Sequence, residues 1–357
     1  MSEAARTQDV LDAVIATGQS SRQSIDSATI ERFIAAQPDV AGGVRVSNVR
    51  GNSKVGASSG IIVFTANWDS GAALVERDLV LRYSPASENR IFYRYDLARQ
   101  FRVQRALQGS GLPVPDGLWL DAGGGHLGVP GFIMEMNPGE APNPSAFAVG
   151  PMAEASAQDR ALMVDQILGS LVTVHKLDYA ARGLGDFAMD AAGTTPMEKC
   201  VNWYWDTWDW IQLPEHARMI PVRRWLLENA PVGGETLTHG DSTLHNYMFV
   251  GNRLTSMLDW EMSCIGRPES DLALQTLGNE LFAAPVESGL PQPPSQAQWL
   301  ERYEQLGGRK PDDLDYYRRL CAYMIVIAIC SLQRAMPEDV RAAQRGFIER
   351  LWAVMEG

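Results

Sequence analysis

Lysine is scarce in this chain. Only Lys54, Lys176, Lys199 and Lys310 are found among 31 basic residues, and all the others are Arg. A site that needs positive charge must therefore rely mainly on Arg, whose guanidinium is a planar fork of donors rather than a point charge. The formal net charge is −12, which argues against a general nucleic-acid binder, because phosphate backbones attract basic surfaces.

Cysteine and long apolar runs are equally rare. The four Cys are scattered, with neither a CxxC pair nor His at metal-ligand spacing, which argues against a disulfide framework or a zinc site. The longest apolar run, 321–332, is too short to cross a bilayer and predicts a buried helix. The first residues include acidic groups rather than a signal-peptide pattern. We expect no membrane partner and a reducing, cytoplasmic setting.

The apolar patterns divide the chain into two lobes that follow an N-terminal helical segment, 1–40. Residues 41–137 contain strand patterns at 44–49, 61–68, 79–83, 118–120 and 131–136, and a helical pattern at 91–107. Pro138-Gly139 and the prolines after it mark a boundary, and residues 138–357 are mainly helical. The order predicts an α+β protein with a small β-rich lobe and a larger α-helical lobe.

The most informative stretch is 238–261, which reads THGDSTLHNYMFVGNRLTSMLDWE. Two apolar runs flank the turn pair Gly251-Asn252, which predicts a β-hairpin that brings Asn246 and Asp259 to the same end, beside Asp241. Two oxygen donors with a free carboxylate nearby suit Mg²⁺ and phosphoryl transfer. An ordinary hairpin with polar loop caps would explain each residue alone, but it does not explain the whole set.

The small lobe offers candidate contacts to nucleotide phosphates. The loop GNSKVGASSG contains Lys54, Gly56, Ser58 and Ser59, and such a loop can lay main-chain N–H groups over phosphates. Arg82 lies on the third strand, where a kinase-like lobe keeps a basic side chain for the α and β phosphates. The alternatives are an ordinary hairpin connection for the loop and a surface cation on an edge strand for Arg82.

The segment FIMEMNPG is a candidate hinge between the lobes. The main chain from Glu135 to Asn137 could pair with an adenine edge, with Met134 packed behind it. The alternative is a buried strand that simply leaves a sheet.

The motifs HGDSTLHN and LDWEMSCIGRPESDLA resemble those of the aminoglycoside phosphotransferase (choline kinase-like) family. The resemblance runs from about residue 44 to about residue 334. The segments at 174–187, VHKLDYAARGLGDF, and 80–85, VLRYSP, are similar to the branch of kinase-like domains linked to acyl-CoA dehydrogenases. The resemblance implies a protein-kinase-like two-lobe fold, with ATP and Mg²⁺ as cofactors.

The same resemblance implies roles for individual residues. Asp241 would be the catalytic carboxylate that accepts or orients the proton of the substrate hydroxyl, and Asn246 and Asp259 would hold Mg²⁺. Arg82 would stand in place of the strand lysine of protein kinases. Asp271 would brace the catalytic loop.

The helix LARQFRVQRAL departs from the family pattern, because Gln100 stands where Glu is expected. An Arg82–Gln100 contact would be weaker than a salt bridge. His239 is expected to hold the loop rather than to transfer protons, and the role of Glu261 is left open.

The sequence thus predicts an ATP- and Mg²⁺-dependent kinase that phosphorylates the hydroxyl of a small molecule. A hydroxyacyl-CoA is the preferred acceptor, and an aminoglycoside or another antibiotic or natural product is the alternative. A nucleotide-binding pseudokinase module is a second alternative. The acceptor is expected near the tryptophans of 203–210, although core packing explains that cluster as well. The sequence does not indicate an oligomeric state.

Overall fold

The structure is a computed structural model that describes residues 25–51, 59–84, 90–283 and 288–357. Three of the residues predicted to bind the nucleotide, Lys54, Gly56 and Ser58, lie outside the described residues, and so do residues 1–24 of the predicted N-terminal helical segment.

A short amphipathic helix, α1 (Ser27–Ala35), precedes the sheet. The Asp26 side chain caps it by accepting a hydrogen bond from the Thr29 N–H at 2.8 Å, which satisfies one of the free donors of the first turn. Ile30, Phe33 and Ile34 are buried on one face, as their i, i+3, i+4 spacing predicts.

Five antiparallel strands form one sheet in the order β1-β2-β3-β5-β4. Alternate residues of β2, among them Phe64, Ala66 and Trp68, pack in one apolar cluster with α1. The opposite face packs against helix α2. The strands are β1 Gly42–Gly51, β2 Gly60–Asp69, β3 Leu74–Tyr83, β4 Gly117–Asp121 and β5 Gly131–Glu135.

Helix α2 spans Leu97–Leu107, so the prediction that a helix begins at residue 91 is wrong. Asp96 is the N-cap of this helix, because its side chain accepts a hydrogen bond from the Arg99 N–H at 3.2 Å. Ile91 and Phe92 are instead buried in the large apolar cluster of the helical lobe. Tertiary packing therefore overrides the apolar periodicity before residue 97.

The helical lobe begins after β5 and contains two buried apolar clusters. One gathers around the helices at 196–211 and 314–333, and the other joins the helix at 157–176 to α2 and to the hairpin at 247–257. The helices are α3 Pro151–Glu154, α4 Ala157–Lys176, α5 Pro196–Ile211, α6 His216–Glu228, α7 Pro268–Leu281, α8 Gln296–Gln305, α9 Leu314–Gln333 and α10 Glu338–Glu356. The strands are β6 Thr236–Thr238, β7 Tyr247–Val250, β8 Arg253–Met257 and β9 Cys264–Gly266.

The observed order, an antiparallel sheet with its helix followed by a mainly helical lobe, confirms the predicted α+β two-lobe class. In the described part of the chain, no helix is both long enough and apolar enough to cross a bilayer. All four cysteines are buried free thiols.

Candidate active site

Helix α7 holds the loop that carries Asp241 in place. Asp271, in the first turn of α7, accepts the N–H groups of His239 at 2.8 Å and Gly240 at 2.9 Å. Its carboxylate also lies 2.9 Å from Nε2 of His175. Burial alone would raise the pKa of Asp271. The hydrogen bond and the charge of His175 outweigh burial, so the pKa of Asp271 lies below its ordinary value. A buried carboxylate thus braces the loop, as the resemblance implied.

Gly240 allows the loop to approach the segment that follows β8. Its φ is +83°, and a Cβ atom there would lie 2.0 Å from the carbonyl oxygen of Met262. Only glycine combines this left-handed conformation with so close a contact. The next residue, Asp241, is thereby held beside the 3₁₀ turn Trp260–Met262.

Asp241 is half-buried and tied to its own loop. Its Oδ1 accepts from the Thr243 hydroxyl at 2.7 Å, and its N–H donates to Nδ1 of His239 at 3.3 Å. Burial lowers the pKa of His239 in spite of the nearby carboxylates, so this ring is neutral at pH 7 and acts as an acceptor. The geometry agrees with the expected loop-holding role of His239.

Asn246 closes the same loop from the other side. Its Nδ2 donates to the carbonyl oxygen of Asp241 at 2.9 Å, which leaves Oδ1 as the amide atom available for a cation. The β7–β8 hairpin forms as predicted, and the Leu258 N–H donates to the Asn246 carbonyl at 2.7 Å. Asp259 is therefore brought next to Asn246.

Asp259 adopts a left-handed conformation, with φ 60° and ψ 58°. Asp tolerates this region better than most residues, and strain of this kind is common at functional sites. Within the described residues, no group of three His, Cys, Asp or Glu side chains could hold a metal ion. Two oxygen donors fit Mg²⁺, which usually takes few ligands from protein and the rest from phosphates and water.

Arg82 is buried, and it connects the sheet lobe to Asp259, one of the two candidate metal ligands. Its Nη1 lies 2.9 Å from Oδ1 of Asp259, and its Nη2 lies 3.4 Å from Oε2 of Glu261. Its Nε and Nη2 also donate to the Ser59 hydroxyl at 3.0 and 2.8 Å. Because β3 lies inside the sheet and the side chain is only 5% exposed, the surface-cation alternative is wrong.

The charge of Arg82 is secured by its neighbours. Burial would lower the pKa of the guanidinium, but the carboxylate of Asp259, followed by Tyr95 and Glu261, raises it above its ordinary value. The group remains a cation across the accessible pH range. Glu261, whose role the sequence left open, is thus the second acidic partner of Arg82.

Gln100 makes no hydrogen bond to Arg82, so not even the weaker contact that could replace the salt bridge of the family is formed. Gln100 is buried, and neither atom of its amide has a hydrogen-bond partner among the described residues. Helix α2 is instead held by Arg99, which donates to the carbonyls of Phe187 at 2.7 Å, Ala188 at 3.0 Å and Ser263 at 3.0 Å. These hydrogen bonds from the Arg99 side chain to main-chain carbonyls connect the two lobes, where the family pattern has a salt bridge between helix and strand.

The structure restricts which main-chain groups of the predicted hinge could pair with an adenine edge. The Glu135 N–H donates to the Asp116 carbonyl at 2.9 Å, and the Met136 N–H donates to the Asp78 carbonyl at 3.1 Å. Neither donor is free for an adenine edge, because the sheet already uses both. The Glu135 side chain pairs with Arg77.

Asn137, the last residue of the predicted hinge, contacts β8 through its side chain. Its side chain donates to the Thr255 carbonyl and to the Ser256 hydroxyl, each at 3.2 Å. The hinge is therefore tied to β8, the strand that leads to Asp259.

Tyr95 is a site residue that the sequence analysis did not single out. Its hydroxyl is buried with no hydrogen-bond partner of normal geometry among the described residues. Burial and the charge of Glu261 raise the pKa of Tyr95, so it stays a neutral donor beside Arg82 and Glu261. Tyr95 lies here because α2 begins at residue 97 rather than at 91, and the capping Asp96 is the local signal of that start.

Comparison with known proteins agrees with this geometry. Residues 64–323 match the model of APH, the phosphotransferase enzyme family. The match covers more than half of the chain, so the protein belongs to this family and is a phosphotransferase.

Two curated relatives are acyl-CoA dehydrogenase family members. Family member 11 of Rattus norvegicus is 29% identical over 187 residues, which are 50% of this chain and 22% of that protein. Family member 10 of Mus musculus is 28% identical over 208 residues, which are 57% of this chain and 18% of that protein. The chain thus spans about a fifth of the length of these relatives.

Solved structures share the fold across nearly the whole chain. A Ralstonia eutropha JMP134 protein provisionally named an aminoglycoside phosphotransferase has a TM-score of 0.66 at 20% identity, covering 93% of this chain and 99% of its own. Aminoglycoside phosphotransferase APH(4)-Ia, in a ternary complex with AMP-PNP and hygromycin B, has a TM-score of 0.54 at 17% identity, covering 91% and 98%. Macrolide 2'-phosphotransferase type I has a TM-score of 0.53 at 18% identity, covering 91% and 97%.

Proposed function

We propose that this phosphotransferase moves the γ-phosphoryl group of Mg²⁺-ATP to the hydroxyl of a small molecule, with residues 41–137 forming the nucleotide lobe and 138–357 the catalytic and acceptor lobe. One observation carries the proposal. Arg82 of the sheet lobe, the Asn246–Asp259 pair and Asp241 converge at the end of one hairpin.

Each side chain has a defined task in this proposal. Asp241 accepts the proton of the acceptor hydroxyl, with Thr243 fixing its other oxygen. The acceptor oxygen forms a bond to the γ-phosphorus while the bond from that phosphorus to the β–γ bridging oxygen breaks, and ADP departs. Asn246 and Asp259 are the residues that would hold Mg²⁺, which when bound would neutralise charge on the phosphates.

Arg82 changes partners when the nucleotide arrives. Its guanidinium now donates to Asp259, the proposed metal ligand. Phosphate oxygens, like carboxylates, accept bidentate hydrogen bonds from Arg, so the guanidinium can move to phosphate when Asp259 holds a cation. Ser59 fixes the other edge of the guanidinium and keeps it aimed at the cleft.

The acceptor we propose is a hydroxyacyl-CoA. Support comes from the relatives, which are acyl-CoA dehydrogenase family members, and from the segments 174–187 and 80–85 that carry the likeness to this branch. The solved structures favour a second candidate, an antibiotic hydroxyl, because all three are named for aminoglycoside or macrolide phosphotransfer. At 17–20% identity that likeness concerns the fold.

The deciding experiment is an ADP-release assay with Mg²⁺-ATP and a panel of hydroxyacyl-CoAs, aminoglycosides, macrolides and amino alcohols. The Asp241→Asn variant serves as the blank. We expect hydroxyacyl-CoAs to stimulate ADP release in the native protein and not in the variant. Stimulation by an antibiotic alone would replace the acceptor, and no stimulation by any compound while Mg²⁺-ATP still binds would contradict transfer to these hydroxyls.

A further inference from the structure

Tyr95 lies between β3 and α2, and its ring packs on the face of the sheet that contacts α2. The apolar cluster on this face includes Ile61 of β2 and Phe132 of β5. These two residues are the cross-strand neighbours of Arg82 in the sheet. Because cross-strand neighbours point to the same face, the ring of Tyr95 and the side chain of Arg82 lie on one side of the sheet.

The hydroxyl of Tyr95 is buried, and no group in the described part of the chain makes a hydrogen bond of normal geometry with it. Burial, followed by the charge of Glu261, raises the pKa of Tyr95, whereas the charge of Arg82 lowers it. Both charged groups therefore act on this hydroxyl, which keeps its proton. A buried donor without a partner costs stability, so its presence beside two charged side chains calls for a functional explanation.

The guanidinium of Arg82 serves its two carboxylates unequally. Nη1 lies 2.9 Å from Oδ1 of Asp259, whereas Nη2 lies 3.4 Å from Oε2 of Glu261. Nη2 also donates to the Ser59 hydroxyl at 2.8 Å, so Glu261 has the weaker contact with this cation. In the proposed function Arg82 turns to phosphate, which would weaken that contact further. The side chain of Glu261 is only 13% exposed, and its charge would then need another donor.

We propose that Tyr95 is a positioning residue for the nucleotide, whose hydroxyl donates to Glu261 and so releases the guanidinium of Arg82 to the phosphates. The inference rests on the proposed function, because it requires Mg²⁺-ATP to bind beside Arg82 and Asp259. Tyr95 itself contacts neither phosphate nor acceptor, and it acts through its two charged neighbours. Loss of a hydrogen bond to a buried carboxylate should lower Mg²⁺-ATP affinity about tenfold.

Calorimetric titration of Tyr95→Phe with Mg²⁺-ATP and with adenosine tests this role. We expect the affinity for Mg²⁺-ATP to fall about tenfold and the affinity for adenosine to stay native, because adenosine has no phosphate for Arg82. The free energy of unfolding of the protein alone, measured in urea, should stay the same or rise, since no described residue pairs with the hydroxyl. A purely structural role would instead lower stability and both affinities together.

Tyr317→Phe is the matched control for the loss of a buried hydroxyl. The hydroxyl of Tyr317 is also buried and has no hydrogen-bond partner among the described residues, but the residue lies on α9 and packs in the large apolar cluster of the helical lobe. Its Mg²⁺-ATP affinity should equal that of the native protein.

Glu261→Met tests the route through Glu261, because this variant has no carboxylate to accept from Tyr95. If Tyr95 acts through Glu261, the two substitutions are not additive, and Tyr95→Phe should cost little further Mg²⁺-ATP affinity in the Glu261→Met background. A full tenfold further loss in that background would overturn this route.

The outcomes separate this inference from the proposed function. If the native protein does not bind Mg²⁺-ATP, the proposed function is wrong, and the role of Tyr95 is wrong with it. If the native protein binds Mg²⁺-ATP and Tyr95→Phe binds it equally well, only the positioning role is overturned. The same holds if Tyr95→Phe weakens Mg²⁺-ATP and adenosine binding alike.

Discussion

Asp259 has two partners to satisfy, since the carboxylate that we assign to Mg²⁺ is at present ion-paired with Arg82 at 2.9 Å. The pair is only partly exposed, at 5% for the Arg82 side chain and 23% for that of Asp259. Removing one partner of such a pair is strongly destabilising, because the charge of the other partner is left without compensation. The two residues therefore form one unit in the site without nucleotide.

Asp259→Ala should weaken Mg²⁺-ATP binding by about tenfold or more, because it removes a metal ligand and leaves Arg82 with Glu261 alone. Calorimetric titration with ATP in the presence and absence of Mg²⁺ measures the effect. Asp339→Ala, an acidic residue in the first turn of the distant helix α10, is the control. Unaltered Mg²⁺-ATP affinity in Asp259→Ala would count against metal ligation.

Gln100 gives the second prediction at this scale. Its amide is buried without a hydrogen-bond partner among the described residues, so it contributes desolvation cost and no compensating bond. Gln100→Met keeps the volume and removes the polar atoms, and it should leave stability unchanged or raise it by about 1 kcal/mol. Urea unfolding measures this. A loss above about 2 kcal/mol would show that the amide has a partner.

Helix α7 acts on the site as an element, because its first turn presents Asp271 to the catalytic loop. The carboxylate receives two main-chain N–H groups and faces His175, all at 2.8–2.9 Å. Asp271→Asn keeps the shape but removes the charge. It should lower the free energy of unfolding by about 3 kcal/mol and misplace Asp241, which reduces turnover as well.

The pH dependence of stability follows from the lowered pKa of Asp271, whose ordinary value is 3.8. A carboxyl whose pKa is lower in the folded state stabilises the fold above its unfolded pKa. That stabilisation should be lost as pH falls below 3.8 towards the folded-state pKa, and Asp271→Asn should not show this component. Equal acid sensitivity of the two proteins in urea unfolding would contradict the brace.

The start of helix α2 and its contacts with the other lobe could not be predicted from apolar periodicity alone. Its apolar period predicts a helix, but the start at Leu97 depends on the Asp96 cap and on the burial of Ile91 and Phe92 in the other lobe. The hydrogen bonds of Arg99 go to three carbonyl groups about 90 to 160 residues away along the chain. Such contacts follow from tertiary packing, which local periodicity does not encode.

For the whole molecule, the two-lobe architecture and the hairpin were predictable because each follows from local patterns that agree with one another. The convergence of Asp241, Asn246 and Asp259 followed from one short hairpin. The partners of Arg82 were not predictable, since Asp259 lies 177 residues further along the chain. The same holds for the hinge, where the N–H groups of Glu135 and Met136 are taken by residues of other segments.

The cleft between the lobes is where these long-range contacts meet. Arg82 and Arg99 both cross it, the first to Asp259 and the second to the carbonyl groups around Phe187. The relative position of the lobes is therefore set by Arg side chains, in a chain that has few Lys. The arrangement predicts that the loop of Asp241 and the β7–β8 hairpin are in place before substrate binds, and that Asp241 accounts for the chemical step.

The most direct test of this account is single-turnover transfer of a labelled γ-phosphoryl group from Mg²⁺-ATP to a hydroxyacyl-CoA. The native protein should move the label to the acceptor, and Asp241→Asn should bind Mg²⁺-ATP with native affinity while transferring it about 10²–10⁴-fold more slowly. Transfer at the native rate by Asp241→Asn would contradict the proposed mechanism.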